Sequence, residues 1–474
     1  MKIVSFLVAS FFCLFLFSFM EFTDDIEHIN TTWLIFHGLT PYKDFFQNHH
    51  PLLWYLSVPM VAVFDYYNSA LILYGMRFLT LFSFFISLYY LYKIVWDSKI
   101  PTSPLLLIFL ATISPTFTRF LSFSPDPYMT LCAISGLYYF MRYVKEKKNH
   151  DLFLSFTLFF IGFLFHQKII LFLIPFGILI LKLISDKKIK FLNVLRAGFP
   201  FILFYLLYLF YLVCNDNLKN YFEYTIKMNA LINGFKFGRG VIQEPTVYLY
   251  IFLFAVSYFF VLLKKKFSVL IFINNLALLS VLFQFLLGVP FLYYLMLPFM
   301  LMTPSMGFFL QFLYEKITKK YFLRQFLFLF LLFVYLAMLF IHLSDSVLGG
   351  WKGMAGPTQY KMAQFVLDTV PKNELIFNGD INKIGLFHKN VHPFYHQLSL
   401  NGVKDKDLYW GASFDEIREL IKEKRPYLIT NHWPPEEVLP VDFSNWQYFT
   451  LKLDEEILDL YEKEPVWGFY IRKK

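Results

Sequence analysis

The feature that most limits what this chain can fold into is a series of apolar runs separated by short basic segments. A segment that crosses a bilayer as a helix needs about 20 mostly apolar residues, and by that measure we count roughly eleven candidates. Of the 474 residues, 57% are hydrophobic and only 16% are charged, and the mean hydropathy is +0.51. The sequence therefore predicts a polytopic α-helical membrane protein rather than a soluble globular protein.

The predicted spans have the approximate limits 3–20, 72–92, 102–118, 128–141, 152–165, 169–181, 199–214, 247–263, 267–287, 291–313 and 325–343. The first has a positive start, an apolar body and no small-residue cleavage site, so we interpret it as an uncleaved signal-anchor. All three cysteines lie in apolar runs, which gives no indication of a disulfide framework.

Basic loops set the predicted orientation, because Lys and Arg are retained on the cytoplasmic side. With the N-terminus in the cytoplasm, every predicted inner loop is basic, including "RYVKEKKNHD" and "EKITKKYFLR". The odd number of spans then predicts that the loop 21–71 and residues 344–474 lie on the extracytoplasmic face of the cell membrane, inner or plasma. This asymmetry accounts for the net charge of +9, so the charge does not call for a nucleic-acid partner.

The C-terminal part of the chain changes from apolar runs to alternating helix and strand patterns. "TQYKMAQFVLDTV" and "SFDEIRELIKEKR" have helical spacing, whereas "ELIFNG", "PYLITN" and "WGFYIRK" are typical of short strands. We predict a transmembrane domain over 1–343, a glycine-rich linker over 344–357 and a small extracytoplasmic α/β domain over 358–474. "HKNVHPFYH" spaces three histidines by four residues, but Pro393 breaks a helix there, which favours a loop over a metal site.

Titratable side chains are concentrated in the loops that this topology puts outside. They are Asp24, Asp25, Glu27, His28, Asp44, His49 and His50 in the first loop, Asp126 in the second, His166 and Lys168 in the third, and Lys227, Lys236, Arg239 and Glu244 in the fourth. ATP and nucleotide sugars are scarce on that face, and the chain has no Walker A loop. Group transfer there needs a donor that arrives through the membrane, and a lipid-linked donor meets that need. Ionisable groups at membrane depth are costly, so Lys168 between two spans indicates a function.

The first loop resembles the first external loop of bacterial family-39 glycosyltransferases, which are related to protein O-mannosyltransferases and lipid A aminoarabinose transferases of the GT-C fold. The family pattern of an acidic pair, Gly-x-x-Pro-Tyr-x-Asp-Phe and His-Pro-Pro-Leu is matched by Asp24-Asp25, Gly38, Pro41-Tyr42, Asp44-Phe45 and His50-Pro51-Leu52. Two positions depart from it, since Asp25 stands where Glu is usual and Leu52 stands where a second Pro is usual. The resemblance covers about residues 1–343. The sequence around Arg77, Asp126 and Lys168 and the stretch "YYLMLPFML" are similar to later family landmarks, in the same order.

The resemblance implies an inverting membrane glycosyltransferase that moves a sugar from a polyprenyl-phosphate donor to a protein, glycan or lipid acceptor. In that reaction Asp24 would be the base for an acceptor hydroxyl, and cations would offset the charge of the leaving lipid phosphate. The predicted site comprises Asp24 and Asp25 as catalytic residues, and Lys168, Arg239, Asp126 and His50 as residues that bind the lipid phosphate or substrate. Asp25, His49 and His50 are also candidate ligands of a divalent metal, whose presence the sequence leaves open.

Each of these side chains has a structural alternative. The acidic pair could simply cap the helix that follows, and the two adjacent histidines could anchor the chain at the interface. Asp126 stands between two prolines, as a turn residue does, and Lys168 could reach a lipid headgroup without binding substrate. For Arg77, at the edge of a span, we expect a pair with an acid of the first loop.

Two other classes of membrane protein compete with a glycosyltransferase. A lipid or solute transporter or flippase predicts charged residues within the spans and a two-fold repeat of hydropathy, and the sequence shows almost no charge at mid-span and no repeat. A glycan polymerase or ligase on another polytopic scaffold predicts large external loops rich in arginine, which this chain lacks.

Overall fold

A computed structural model of the protein describes residues 24–227, 245–264, 268–286, 292–317, 356–378, 385–391, 414–430 and 455–473. The predicted spans 3–20 and 325–343, most of the predicted linker and Arg239 lie outside the described residues. Contacts divide the chain into two compact units. The first unit comprises 1–47, 51–78 and 343–474, and the second comprises 48–50 and 79–342. The C-terminal residues thus group with the first loop, while the predicted domain limits stay predictions.

The helices are α1 (Asp24–Phe36), α2 (Leu52–Tyr66), α3 (Ile72–Asp97), α4 (Pro104–Thr112), α5 (Pro125–Glu146), α6 (Asn149–Phe165), α7 (Ile170–Ser185), α8 (Phe191–Cys214), α9 (Leu218–Tyr221), α10 (Pro245–Lys264), α11 (Ser268–Leu286), α12 (Met296–Ile317), α13 (Gly356–Thr369), α14 (Phe414–Lys424) and α15 (Glu455–Leu458). Short 3₁₀ turns cover Phe117–Leu121, Gln167–Ile169 and Leu292–Leu295, and a π-helical turn covers Phe222–Lys227. The strands are β1 (Ile376–Asn378), β2 (Leu428–Thr430), β3 (Tyr461–Lys463) and β4 (Tyr470–Arg472).

Within the described residues, five helices are long and apolar enough to cross a membrane: Ile72–Asp97, Gln167–Ser185, Phe191–Cys214, Val247–Lys264 and Met296–Lys316. Three shorter apolar helices cover Leu52–Tyr66, Asn149–Phe165 and Ser268–Gln284. This agrees with a multi-pass helical membrane protein, whereas the count of eleven spans stays a prediction. The predicted span 102–118 contains only the nine-residue α4, which rises about 14 Å and does not cross a bilayer by itself.

The C-terminal residues of the first unit form a small mixed sheet in the order β1-β2-β4-β3. β1 and β2 are parallel, while β4 is antiparallel to both of its neighbours. Successive strand residues face opposite sides, so Ile376 packs with Val366 of α13 and Phe377 packs with Ile421 of α14. The sheet therefore has helices on both faces. The strands β1, β2 and β4 and the helices α13 and α14 lie where the sequence predicts them, and β3 is additional.

In the second unit, α5 and α6 pack closely as an antiparallel pair because each contributes a glycine to the contact. A Cβ at Gly136 of α5 would lie 2.6 Å from the Phe159 ring of α6, and one at Gly162 of α6 would lie 3.1 Å from the Cβ of Cys132 in α5. α6 ends at Phe165. The next residue, His166, has an extended backbone (φ −155°, ψ 124°), and the 3₁₀ turn then leads directly into α7. The tight third outer turn predicted from "FLFHQKII" is thus confirmed as a turn.

Candidate active site

The predicted catalytic acids lie at the start of α1. Asp24 is the first residue of this helix and is half-buried, whereas Asp25 is fully buried. Three acids, Asp24, Asp25 and Glu27, occupy the first turn. Negative charge is favourable there because the unpaired N–H groups of a helix N-terminus carry partial positive charge. The capping alternative therefore accounts for acids at this point, but it does not require that one of them be buried.

Asp25 forms a two-point ion pair with Arg77. Arg77 Nε donates to Asp25 Oδ1 at 3.1 Å, and Arg77 Nη2 donates to Asp25 Oδ2 at 3.0 Å. Both side chains are almost completely excluded from solvent, so each charge depends on the other for compensation. The prediction that Arg77 pairs with an acid of the first loop is confirmed. A carboxylate bound at both oxygens by a buried guanidinium fits the anchoring of α1 better than the role of a base or a metal ligand.

Further along α1, buried polar groups fix the side chains that face the rest of the first loop. Trp54 Nε1 donates to His28 Nδ1 at 3.1 Å, which leaves the proton of the neutral imidazole on Nε2. Gln47 Nε2 donates to Thr31 Oγ1 at 2.6 Å and lies 3.4 Å from Glu27 Oε1. All four of the side chains His28, Trp54, Gln47 and Thr31 are buried. The first loop is therefore folded around α1.

His50, in the second unit, is held at both ring nitrogens. Nδ1 lies 2.5 Å from the Phe163 carbonyl oxygen, which can only accept, so Nδ1 carries the proton. Nε2 then accepts from the Tyr221 hydroxyl at 2.8 Å, and Tyr205 donates to Tyr221 at 3.0 Å. Burial lowers the pKa of His50 to about 4, and the bond to Phe163 offsets only part of that shift. A neutral, enclosed imidazole fits the anchoring alternative, and this geometry argues against phosphate or metal binding by His50.

A second group of charged residues lies where the tight third outer turn meets the first turn of α5. Lys168 Nζ is 3.6 Å from Asp126 Oδ1 and 3.8 Å from the centre of the Tyr294 ring. The side chains of Lys168 and Asp126 are each about one-tenth exposed. Within the described residues Asp126 Oδ1 has no hydrogen-bond partner, so the pair is an ion contact without a direct hydrogen bond. We call Asp126, His166, Lys168 and Tyr294 the lysine cluster.

His166 completes the lysine cluster with a fixed tautomer. Its Nδ1 accepts the backbone N–H of Lys168 at 3.2 Å, so a neutral ring carries its proton on Nε2. That nitrogen is 3.9 Å from Asp126 Oδ1. The His49 ring meets the His166 ring edge to face, with 4.5 Å between centroids. Among the described residues, no group of three or more His, Cys, Asp or Glu side chains is arranged to hold a metal ion.

The structure thus places the predicted site residues in two groups, one in each unit. Asp24 and Asp25 share α1, while Asp126 and Lys168 meet in the second unit, and Asp126 lies in the first turn of α5 rather than in a loop. Sequence reasoning gave no role to Tyr294, which lies under the lysine ammonium. The stretch "YYLMLPFML" that contains it is similar to a family landmark, but that similarity does not say which residue the tyrosine contacts.

A comparison with known protein families finds a match that includes Asp126 and Lys168. Residues 48–208 match the family model of the dolichyl-phosphate-mannose-protein mannosyltransferases. The matched region contains His49, His50, Asp126 and Lys168 and begins after Asp24 and Asp25. No curated protein matches the chain significantly. The family match together with the apolar helices points to a membrane glycosyltransferase of the GT-C type.

Proposed function

We propose that this protein transfers a sugar from a polyprenyl-phosphate donor to an acceptor on the extracytoplasmic face of the cell membrane. The observation that carries the proposal is the contact of Lys168 with Asp126, both of which lie within the segment similar to mannosyltransferases. A lysine that is nine-tenths buried, and that touches its acid without a hydrogen bond, is suited to an anionic ligand. The acceptor class, whether a protein, a glycan or a lipid, is left to experiment.

In this proposal Lys168 binds the phosphate of the lipid donor. Cleavage of the anomeric C–O bond leaves negative charge on the lipid phosphate, and a cation fixed nearby stabilises that charge most where water is excluded. Asp126 and the Tyr294 ring hold the ammonium in place before the donor binds. The Nε2–H of His166 lies 3.9 Å from Asp126 Oδ1, the same oxygen that Lys168 contacts. Arg239 stays a second predicted cation for the same phosphate.

Asp24 is proposed as the general base. An acceptor hydroxyl must lose its proton as its oxygen attacks the anomeric carbon, and a carboxylate within hydrogen-bond distance takes that proton. Attack opposite to the departing phosphate inverts the anomeric configuration. Asp25 acts through its pair with Arg77, which holds the first turn of α1. Asp24 is half-buried rather than enclosed, which leaves it accessible to an acceptor.

The test is transfer by purified protein in detergent from a panel of polyprenyl-phosphate sugars. We expect turnover of at least one donor, and a decrease of about 10²–10⁴-fold for Asp24→Asn with normal expression and folding. A chelator arm measures whether a divalent metal takes part. An Asn variant with full activity would exclude Asp24 as the base. Transport of the lipid without transfer would favour the flippase alternative.

A further inference from the structure

The C-terminal residues of the first unit are joined to the first loop by directed polar contacts. Asn30 of α1 donates from one amide nitrogen to two backbone carbonyls, those of Leu386 at 3.2 Å and His388 at 3.1 Å. The segment that carries these carbonyls is itself fixed to the sheet. The Ile376 N–H of β1 donates to the Lys389 carbonyl at 3.1 Å, and the Val391 N–H donates to the Ile376 carbonyl at 2.9 Å. One side chain therefore links α1 to the sheet.

A second contact joins α13 to the turn between α2 and α3. Asn68 Nδ2 donates to the Leu367 carbonyl at 2.6 Å, and Gln364 Nε2 donates to the Asn68 carbonyl at 3.1 Å. Gln364 Oε1 in turn accepts the Ala70 N–H at 2.9 Å. Asn68 has a positive φ of 50°, a conformation in which Asn and Asp are enriched. The Asn68 and Gln364 side chains thus form three hydrogen bonds between α13 and the turn.

A third contact is centred on Asp65 at the end of α2. Trp33 of α1 donates its indole N–H to Asp65 Oδ1 at 3.1 Å, and Lys372 Nζ is 3.7 Å from the same oxygen. Asp65 therefore connects α1 with the residues between α13 and β1. His388 is buried beside this contact and donates Nε2–H to the Val370 carbonyl at 3.2 Å. All three contacts connect the first loop to the C-terminal residues within a single compact unit.

We propose that the C-terminal α/β segment is a clamp that positions α1, and that Asn30 and Asn68 are positioning residues for Asp24. This inference rests on the proposed function only where it concerns catalysis. Asn30 lies six residues after Asp24 on the same 13-residue helix, about 9 Å along its axis. A stiff helix carries a displacement at Asn30 to Asp24. A displacement of about 1 Å at a reacting group can reduce the rate by about 100-fold.

The proposal differs from the simpler role of a domain that only binds acceptor. The contacts that Asn30 and Asn68 make are to backbone carbonyls, so they fix the geometry of the chain whatever side chains the C-terminal segment presents. An acceptor-binding domain predicts that its loss raises the acceptor KM. A clamp predicts that loosening it lowers kcat at unchanged donor KM and raises the mobility of α1.

The experiment compares Asn30→Asp and Asn68→Asp in the full-length protein with Asn215→Asp, an exposed amide at the end of α8 whose Nδ2 donates to the Tyr211 carbonyl of that helix. Each Asp variant keeps the side-chain shape and loses the donor. Hydrogen–deuterium exchange of peptides covering residues 24–36 is the readout that does not depend on activity. We expect exchange at least about tenfold faster for Asn30→Asp and at least about threefold faster for Asn68→Asp, with no change for Asn215→Asp.

Kinetics supply the second readout. We expect kcat to fall roughly 10–100-fold for Asn30→Asp with donor KM within about twofold, and Asn30→Gln, which keeps an N–H donor, to recover part of the loss. Unchanged exchange in residues 24–36 overturns the clamp, and so does faster exchange with unchanged kcat. If the unaltered protein transfers no sugar, the exchange result alone decides the clamp and only the proposed function fails.

Discussion

Two buried ion pairs in this protein, one in each unit, differ in their hydrogen bonding. We use this difference to distinguish a pair that stabilises the fold from a pair proposed to bind substrate. Asp25 and Arg77 share two hydrogen bonds of 3.1 and 3.0 Å, and both are almost completely buried. Lys168 and Asp126 approach to 3.6 Å, are each about one-tenth exposed, and share no hydrogen bond. The first pair is closed and satisfies its own charges. The second pair, which we call the open pair, holds a cation at low solvent exposure without a direct hydrogen bond to its acid.

The largest expected effect comes from breaking the closed pair. Asp25→Asn removes the negative charge that is bonded at two points to the buried Arg77 guanidinium, and we expect a loss of about 3–5 kcal/mol in the free energy of unfolding. A thermal melt in detergent measures this as a clear decrease in Tm. The double variant Asp25→Leu with Arg77→Met removes both charges and is expected to recover most of the stability. Retained transfer activity in the double variant supports a structural Asp25, and complete loss of activity in a stable double variant would return Asp25 to the catalytic residues.

Neutralising the open pair is expected to affect activity rather than folding. Lys168→Gln removes the proposed phosphate-binding cation, and we expect transfer to decrease by about 10²–10³-fold with Tm close to that of the unaltered protein. Lys182→Gln, in the exposed last turn of α7, is the matched control and should retain normal activity. Equal effects of the two substitutions on transfer would contradict the role of Lys168 in binding the donor phosphate.

The enclosed histidine in the same unit as the open pair predicts a pH dependence of stability. The pKa of His50 is about 4 in the folded protein, against 6.5 for an exposed histidine. Between these values the unfolded chain binds a proton that the folded protein does not, so stability falls as the pH decreases from about 6.5 to about 4 and is then level. The full loss is about 3 kcal/mol. Melting curves over this pH range should show the slope, and His50→Gln should flatten it. An equal slope in both proteins contradicts the assignment.

The smallest expected effect concerns the hydroxyl that holds His50. Burial raises the pKa of Tyr221, so its hydroxyl stays protonated and donates to His50 Nε2. Tyr221→Phe leaves that nitrogen buried without a donor, and we expect destabilisation of about 1–3 kcal/mol. Tyr205→Phe, which removes only the next member of the chain, is the comparison and should be milder. A larger effect at Tyr205 than at Tyr221 would contradict the direction assigned to these bonds.

Patterns among residues close in the sequence predicted many of the helices and strands and part of the candidate site. Apolar run length predicted helices over most of the proposed spans that the structure describes, and the short strand-like stretches "ELIFNG", "PYLITN" and "WGFYIRK" predicted β1, β2 and β4. The family pattern and charge singled out Lys168 and Asp126, which the structure brings to 3.6 Å. The pairing of Arg77 with an acid of the first loop was also predictable, since a charge at a span edge needs a partner.

The features that sequence could not predict depend on contacts between distant residues. Tyr294 contacts Lys168 across 126 positions, and the family landmark that contains Tyr294 does not identify that contact. The enclosed state of His50 depends on Phe163 and Tyr221, far along the chain. The contacts of Asn30 with residues 386 and 388 likewise cannot be predicted from the periodicity of the sequence. Burial and hydrogen-bond partners, rather than residue type, decided which predicted side chains anchor the fold.

The most direct test of the proposed roles of Asp24 and Lys168 separates donor binding from transfer. Equilibrium binding of a polyprenyl phosphate to purified protein is compared between Asp24→Asn and Lys168→Gln. We expect Asp24→Asn to bind the lipid with an unchanged Kd, and Lys168→Gln to bind it at least about tenfold more weakly, equal to about 1.4 kcal/mol. Unchanged binding by Lys168→Gln, together with weakened binding by Asp24→Asn, would contradict this division of roles.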